Sequence, residues 1–258
     1  MSSRLSAIAW NTFREAVRDR VLYNLILFVL FLVASAPLFS QISIGLEKQM
    51  LVNVGLSSIS LFGVIIAILV GIGLVSKEIE KKTLYTILSR PVRRWEFIAG
   101  KYLGLLITLV VNTALMTVGF YVALLVFIHG LTRADAMLLV AVYFIVLQFM
   151  MMVAITLLFS TFSTPILSAI FAFALFVIGT FGEDLKNFAA MSQGTTKWLA
   201  TAAAYVMPNF ASLNVIAQAA HEQSMSGRLV VFNTIYALFY SVGVTAAAVL
   251  IFERRNLK

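Results

Sequence analysis

Five stretches of the chain run without one Asp, Glu, Lys or Arg: 21–46 (26 residues), 49–76 (28), 102–132 (31), 136–182 (47) and 229–252 (24). A helix needs about 20 apolar residues to cross the hydrocarbon core of a bilayer, so every stretch is long enough. The 47-residue stretch is too long for one crossing and is interrupted by Ser160-Thr161-Phe162-Ser163-Thr164-Pro165. Proline disfavours helix at the residue before it, and the polar cluster is a turn signal. The pattern therefore predicts an all-α integral membrane protein with six transmembrane helices, near 21–42, 53–76, 102–128, 136–160, 166–182 and 229–252. All belong to one domain, 1–258. Membrane barrels show long alternation of polar and apolar residues, which this sequence lacks.

Composition agrees: 61% of the 258 residues are hydrophobic and only 12% are charged, with a mean hydropathy of +0.99. A soluble domain carries roughly twice that share of charge. With no cysteine, a disulfide scaffold is excluded. The net charge of +8 could suggest nucleic acid, but its placement argues for a membrane and against nucleic acid. Residues 1–20 carry +2, residues 77–101 carry +4 and residues 253–258 carry +2, which accounts for all of it. Basic residues collect on the cytoplasmic side. Both termini and the 77–101 segment are therefore expected in the cytoplasm, and an even number of spans is required. The first apolar stretch follows a charged stretch of about 20 residues and is too long for the core of a cleavable signal.

Between the spans, residues 4–20 place Leu5, Ile8, Ala9, Phe13, Ala16 and Val17 at helical spacing, with Arg4, Asn11, Arg14, Glu15 and Arg18 on the other face. With Trp10 at its edge, this reads as an amphipathic N-terminal helix lying on the membrane. Residues 183–228 form an extracytoplasmic segment of 46 residues. Trp198, Leu199, Ala202, Tyr205 and Val206 recur at helical spacing, Met207-Pro208-Asn209 breaks the helix, and Asn209 or Ser212 can cap a second one reaching Ala220. Short helices on the outer leaflet between spans five and six are expected. Within the spans the only ionisable group is His129, at the end of the third. Ion-coupled transporters keep a titratable group inside the membrane, so energy for any transport must come from elsewhere. Asn112, Thr113, Gln148 and Thr156 are polar residues in spans; they either bond between helices or line a substrate path. Gly63, Ala67 and Gly71, and Gly100 with Gly104, have the spacing of closely packed helices. His129 and His221 are too few and too far apart for a metal site.

The segment 77–101 has its own character. Glu78 and Lys82 form an i,i+4 pair in the favourable order, Leu84, Ile87 and Leu88 make a small apolar face, and Pro91 ends the helix. A short helix between two spans with an apolar face and charged flanks is a docking element; the alternative is a solvated basic loop.

Glu-Ile-Glu-Lys-Lys-Thr-Leu (78–84), Leu-Ser-Arg-Pro-Val (88–92) and Arg-Trp-Glu-Phe-Ile-Ala-Gly-Lys (94–101) resemble the coupling region of type-2 ATP-binding-cassette transporter permeases. The six spans, the basic amphipathic start and the terminal Phe-Glu-Arg-Arg-Asn-Leu (252–257) extend the resemblance over the whole chain. Tyr-Val-Met-Pro-Asn-Phe (205–210) is similar to the outer region of the subgroup that includes the nitrous-oxide-reductase maturation permease. The resemblance implies a cytoplasmic coupling helix in the 77–95 loop that contacts an ATPase through Glu78, Glu80, Thr83, Leu84, Tyr85, Ile87, Leu88 and Arg94. It also implies two copies of that ATPase, which carries ATP and Mg, and a second permease copy, identical or related. The chain itself has no phosphate loop: Gly100-Lys101 lacks both the upstream glycine and the following Ser or Thr. It is therefore expected to hold no cofactor and to be no enzyme by itself. The expected setting is a bacterial or archaeal cytoplasmic membrane, with lipids as the remaining partners. The alternative role is a subunit that couples the ATPase to an extracytoplasmic partner without passing a substrate. An intramembrane enzyme is disfavoured: the sequence has no H-E-x-x-H, no G-x-S-x-G and no carboxylate pair within a span.

Overall fold

A computed structural model describes residues 2–17, 27, 28, 31, 46–80, 93–128, 130 and 133–254; at 2, 3, 74–80, 133 and 134 it describes the backbone alone. Among the described residues the elements are all helical. They are α1 (Ser2–Ala16), α2 (Glu47–Glu80), α3 (Arg94–Ile128), a 3-10 turn (Arg133–Met137), α4 (Leu138–Phe162) and α5 (Pro165–Thr180). After them come α6 (Gly182–Met191), α7 (Gly194–Val206), a 3-10 turn (Ala211–Leu213), α8 (Ile216–Ala220) and α9 (Gly227–Arg254). Of the first predicted span, only residues 27, 28 and 31 are described; Phe28 is buried, with its ring edge-on to Phe62 of α2 at 6.3 Å.

Four segments are long and apolar enough to cross a membrane: Glu47–Gly73, Arg94–Ile128, Asp135–Phe162 and Gly227–Arg254. Two further pairs pass that test together but are bent, α5 with α6 by 60° and α7 with 211–220 by 47°. The bundle thus holds four to six candidate spans among the described residues.

α4 is apolar on every side, and a helix of that kind belongs in the middle. It packs against α2, α3, α5 and α9, and Phe144, Phe149, Met151, Met152 and Val153 are fully buried on it. The contact with α2 depends on small residues. Gly63 faces the ring of Phe149, and Gly71 faces Thr156, so two members of the Gly63–Ala67–Gly71 stripe lie at a close helix contact.

α1 lies along the first turns of α3. Gly100 sits beneath Ile8, and Gly104 beneath Thr12 and the Ala9 carbonyl. A Cβ on Gly104 would stand 2.6 Å from that oxygen, closer than a carbon can approach it. The apolar stripe predicted to lie on the membrane is therefore turned in part against protein. Ala9, Thr12 and Ala16 are buried on α3, while Trp10, Asn11 and Arg14 face outward.

The other end of the bundle is closed by residues 207–220. Phe210, Leu213, Val215, Ala219 and Ala220 belong to the main core. Lys48, at the start of α2, reaches both Asp135 and Glu222 at 2.8 Å and joins three segments there.

Candidate coupling site at the start of α3

The first two turns of α3 join three helices. Arg93 precedes the helix, and its backbone N–H donates to Glu96 Oε2 at 3.1 Å. A carboxylate three residues into a helix, reaching back to the N-cap N–H, is one half of a capping box. It satisfies a donor that the helix leaves free. Glu96 is only 2% exposed.

Arg94 projects toward the far end of the chain. Its Nη1 donates to the carbonyl of Phe252 at 3.1 Å and to that of Glu253 at 2.8 Å. These carbonyls lie in the last turn of α9, where the helix provides no N–H partner and its dipole favours a cation. One turn further, Phe97 stacks on Phe252 with centroids 5.9 Å apart and planes 20° apart. Phe97, Ile98, Ala248 and Phe252 form a second buried cluster, separate from the main core.

Lys101 completes the junction on the other side. It is 2% exposed, lies 3.8 Å from Glu15 of α1 and stands 5.6 Å over the Phe97 ring. A buried lysine needs partners of this kind. α1, the start of α3 and the end of α9 are therefore joined through ion pairing, ring stacking, glycine contacts and a double carbonyl cap.

Of the residues predicted to meet an ATPase, Arg94 alone has its side chain described, and that side chain binds α9. The backbone at Glu78 and Glu80 continues α2, their side chains lying outside the described residues. Thr83, Leu84, Tyr85, Ile87 and Leu88 lie outside the described residues altogether, as does the rest of the predicted coupling helix.

The four polar span residues are all buried, and they are not gathered into one site. Gln148 exchanges hydrogen bonds with Ser60, at 3.1 and 3.3 Å, linking α4 to α2. Thr113 donates to the Leu109 carbonyl and Thr156 to the Met152 carbonyl, each one turn back on its own helix. Asn112 donates to Met116 Sδ at 3.4 Å, and its Oδ1 has no partner among the described residues. Among the described residues no group of three His, Asp or Glu side chains could hold a metal.

Sequence reasoning missed Glu96, Lys101, Phe97 and Phe252 at the junction. One local signal was available: Arg93-x-x-Glu96 has capping-box spacing. The Arg94–Phe252 contact spans 158 positions and leaves no local trace.

The model of the family described as ABC-2 family transporter protein matches residues 6–257. No curated protein matches the chain. A family match over nearly the whole chain, on a structure whose described residues are all helical with several apolar helices long enough to span a bilayer, places this protein in the ABC-2 transporter family, as a multi-pass membrane component of an ABC transporter.

Proposed function

We propose that the chain is a permease subunit that couples ATP hydrolysis on a separate nucleotide-binding subunit to export of a substrate or its movement across the membrane. The observation that carries this reading is the position of residues 81–92 between the two longest helices, α2 with 34 residues and α3 with 35. At about 1.5 Å per residue each extends roughly 50 Å, more than a bilayer's hydrocarbon thickness. A push on that segment thus reaches both helices along their whole length. ATP and Mg belong to the partner. Two permease copies and two ATPase copies make the assembly, because a paired engine needs two docking elements and this chain supplies one. The basic segments put both termini and 77–101 in the cytoplasm of a bacterial or archaeal cell and 183–228 outside.

A second reading is a subunit that transmits force to an extracytoplasmic partner, as the resemblance of 205–210 to the nitrous-oxide-reductase maturation subgroup suggests. It is favoured by the burial of Asn112, Thr113, Gln148 and Thr156 within the packed protomer.

The test is Leu84→Asp, assayed by co-purification with the ATPase and by ATP hydrolysis in lipid. A charge placed in a desolvated groove costs several kcal/mol, so assembly and coupling should both be lost. Wild-type behaviour of this variant would make 77–95 a solvated linker and sink the proposal. Single cysteines at Ser89 and Ser192, in this cysteine-free chain, should label from opposite sides of the membrane.

A further inference from the structure

We propose that Arg94 is a positioning residue: it makes the last turn of α9 move with the first turns of α3, and it does not touch the ATPase. The inference rests on the functional reading above and reassigns one residue within it.

Three observations carry it. Arg94 is the first residue of α3, one residue removed from the segment 81–92 that receives the push. Its Nη1 is committed to two carbonyls of α9, at 2.8 and 3.1 Å. A planar guanidinium that donates to two backbone acceptors holds direction as well as distance, which a flexible ammonium does not. The ring stack of Phe97 on Phe252 lies beside this cap, so α3 and α9 meet through a polar joint and an apolar one. α1 is joined to the same turns of α3 by different means, the close contacts at Gly100 and Gly104 and the Glu15–Lys101 pair. Displacement of the start of α3 therefore carries α1 and α9 together, each through its own joint. Removal of Arg94 weakens the α9 joint and leaves the α1 joint intact.

This separation makes the inference testable. The wild-type permease–ATPase complex in nanodiscs is spin-labelled at Trp10→Cys on α1 or at Arg254→Cys on α9, both exposed. Addition of ATP should change both spectra. In an Arg94→Met background the α1 response should persist, the α9 response should be lost, and the ATPase should still co-purify. Arg94→Lys should restore part of the α9 response. If Arg94→Met does not fold, Arg94→Gln replaces it in the same comparison. An unchanged α9 response overturns the inference, as does joint loss of both responses. Loss of ATPase binding overturns it differently, by making Arg94 a partner contact. If no ATPase co-purifies with the wild type, or neither label responds to ATP there, the functional reading itself fails and this inference fails with it.

Discussion

The stretch between α5 and α9 contains two segments that are packed in opposite ways. The α6–α7 hairpin projects its large side chains outward: Trp198 is 81% exposed and Tyr205 83%. Of α6 only Gly182 and Ala189 are buried, and of α7 only Ala200. The following residues, 207–220, are pulled into the core, and Phe210 is 1% exposed. Charge separates the two segments in part, since the hairpin carries Glu183, Asp184, Lys186 and Lys197 while residues 207–220 carry no charge. They differ further in where the backbone polar groups are satisfied. A helix satisfies its own, so it can lie against lipid, whereas irregular backbone needs partners and must be buried in protein or reach water. At 207–216 the partners are present. The Asn209 N–H donates to the Tyr236 hydroxyl at 2.8 Å and the Phe210 N–H to the Gly179 carbonyl at 2.9 Å. Asn209 Oδ1 accepts from the Ser212 N–H at 3.2 Å, and Asn214 Oδ1 from the Ile216 N–H at 3.3 Å. The break in the helix is what allows this segment to dock.

The contrast can be broken most strongly at Phe210. Phe210→Ala removes a fully buried ring that lies 5.6 Å from Phe176, and truncation of such a ring costs about 3–5 kcal/mol. Unfolding by SDS titration in mixed micelles should show a loss of that order, and a cysteine at Leu213 should become reactive to a water-soluble maleimide. Next comes Gly179→Ala. Its Cβ would stand 2.5 Å from both Phe210 Cδ2 and the Pro208 carbonyl. One of those atoms is backbone and cannot swing away, so an overpacking cost of about 1–3 kcal/mol is expected in the same titration. The smallest effect sharpens the contrast from the other side. Leu199→Ala, on the exposed face of α7, should shift stability by no more than about 0.5 kcal/mol. A loss as large as that of Phe210→Ala would show that the hairpin is packed against something absent from a single chain.

Features of the chain that depend on neighbouring residues are legible in the sequence. Met207-Pro208-Asn209 marks the end of α7 at Val206, because proline lacks an N–H and restricts the residue before it. Pro165 stands at the first position of α5, where proline is favoured, and it is the same residue that divided the longest uncharged stretch. Two positions named as candidate caps, Asn209 and Ser212, pair with each other around the short turn at 211–213. Neither caps α8: its N-cap is Val215, which makes no side-chain cap bond, and Asn214, one residue earlier, accepts from the Ile216 N–H. Contacts between distant residues were out of reach. Gly100 and Gly104 carry a helix-packing spacing, but nothing local says that α1 is the partner, some 90 positions away. Arg94 was placed on a partner surface by resemblance, and its observed acceptors belong to the other end of the chain.

The length of α5 bears on the surrounding lipid. Its 16 residues give about 24 Å of helix at 1.5 Å per residue, against roughly 30 Å of hydrocarbon in a typical bilayer. The helix cannot lengthen along its axis, because the chain turns by 60° at its end and Gly179 is pinned under Phe210. α5 passes the length test only together with α6, across that bend. A hydrophobic shortfall where α5 meets lipid costs a fraction of a kcal/mol per Å, so longer acyl chains should strain the turn at 179–182 first.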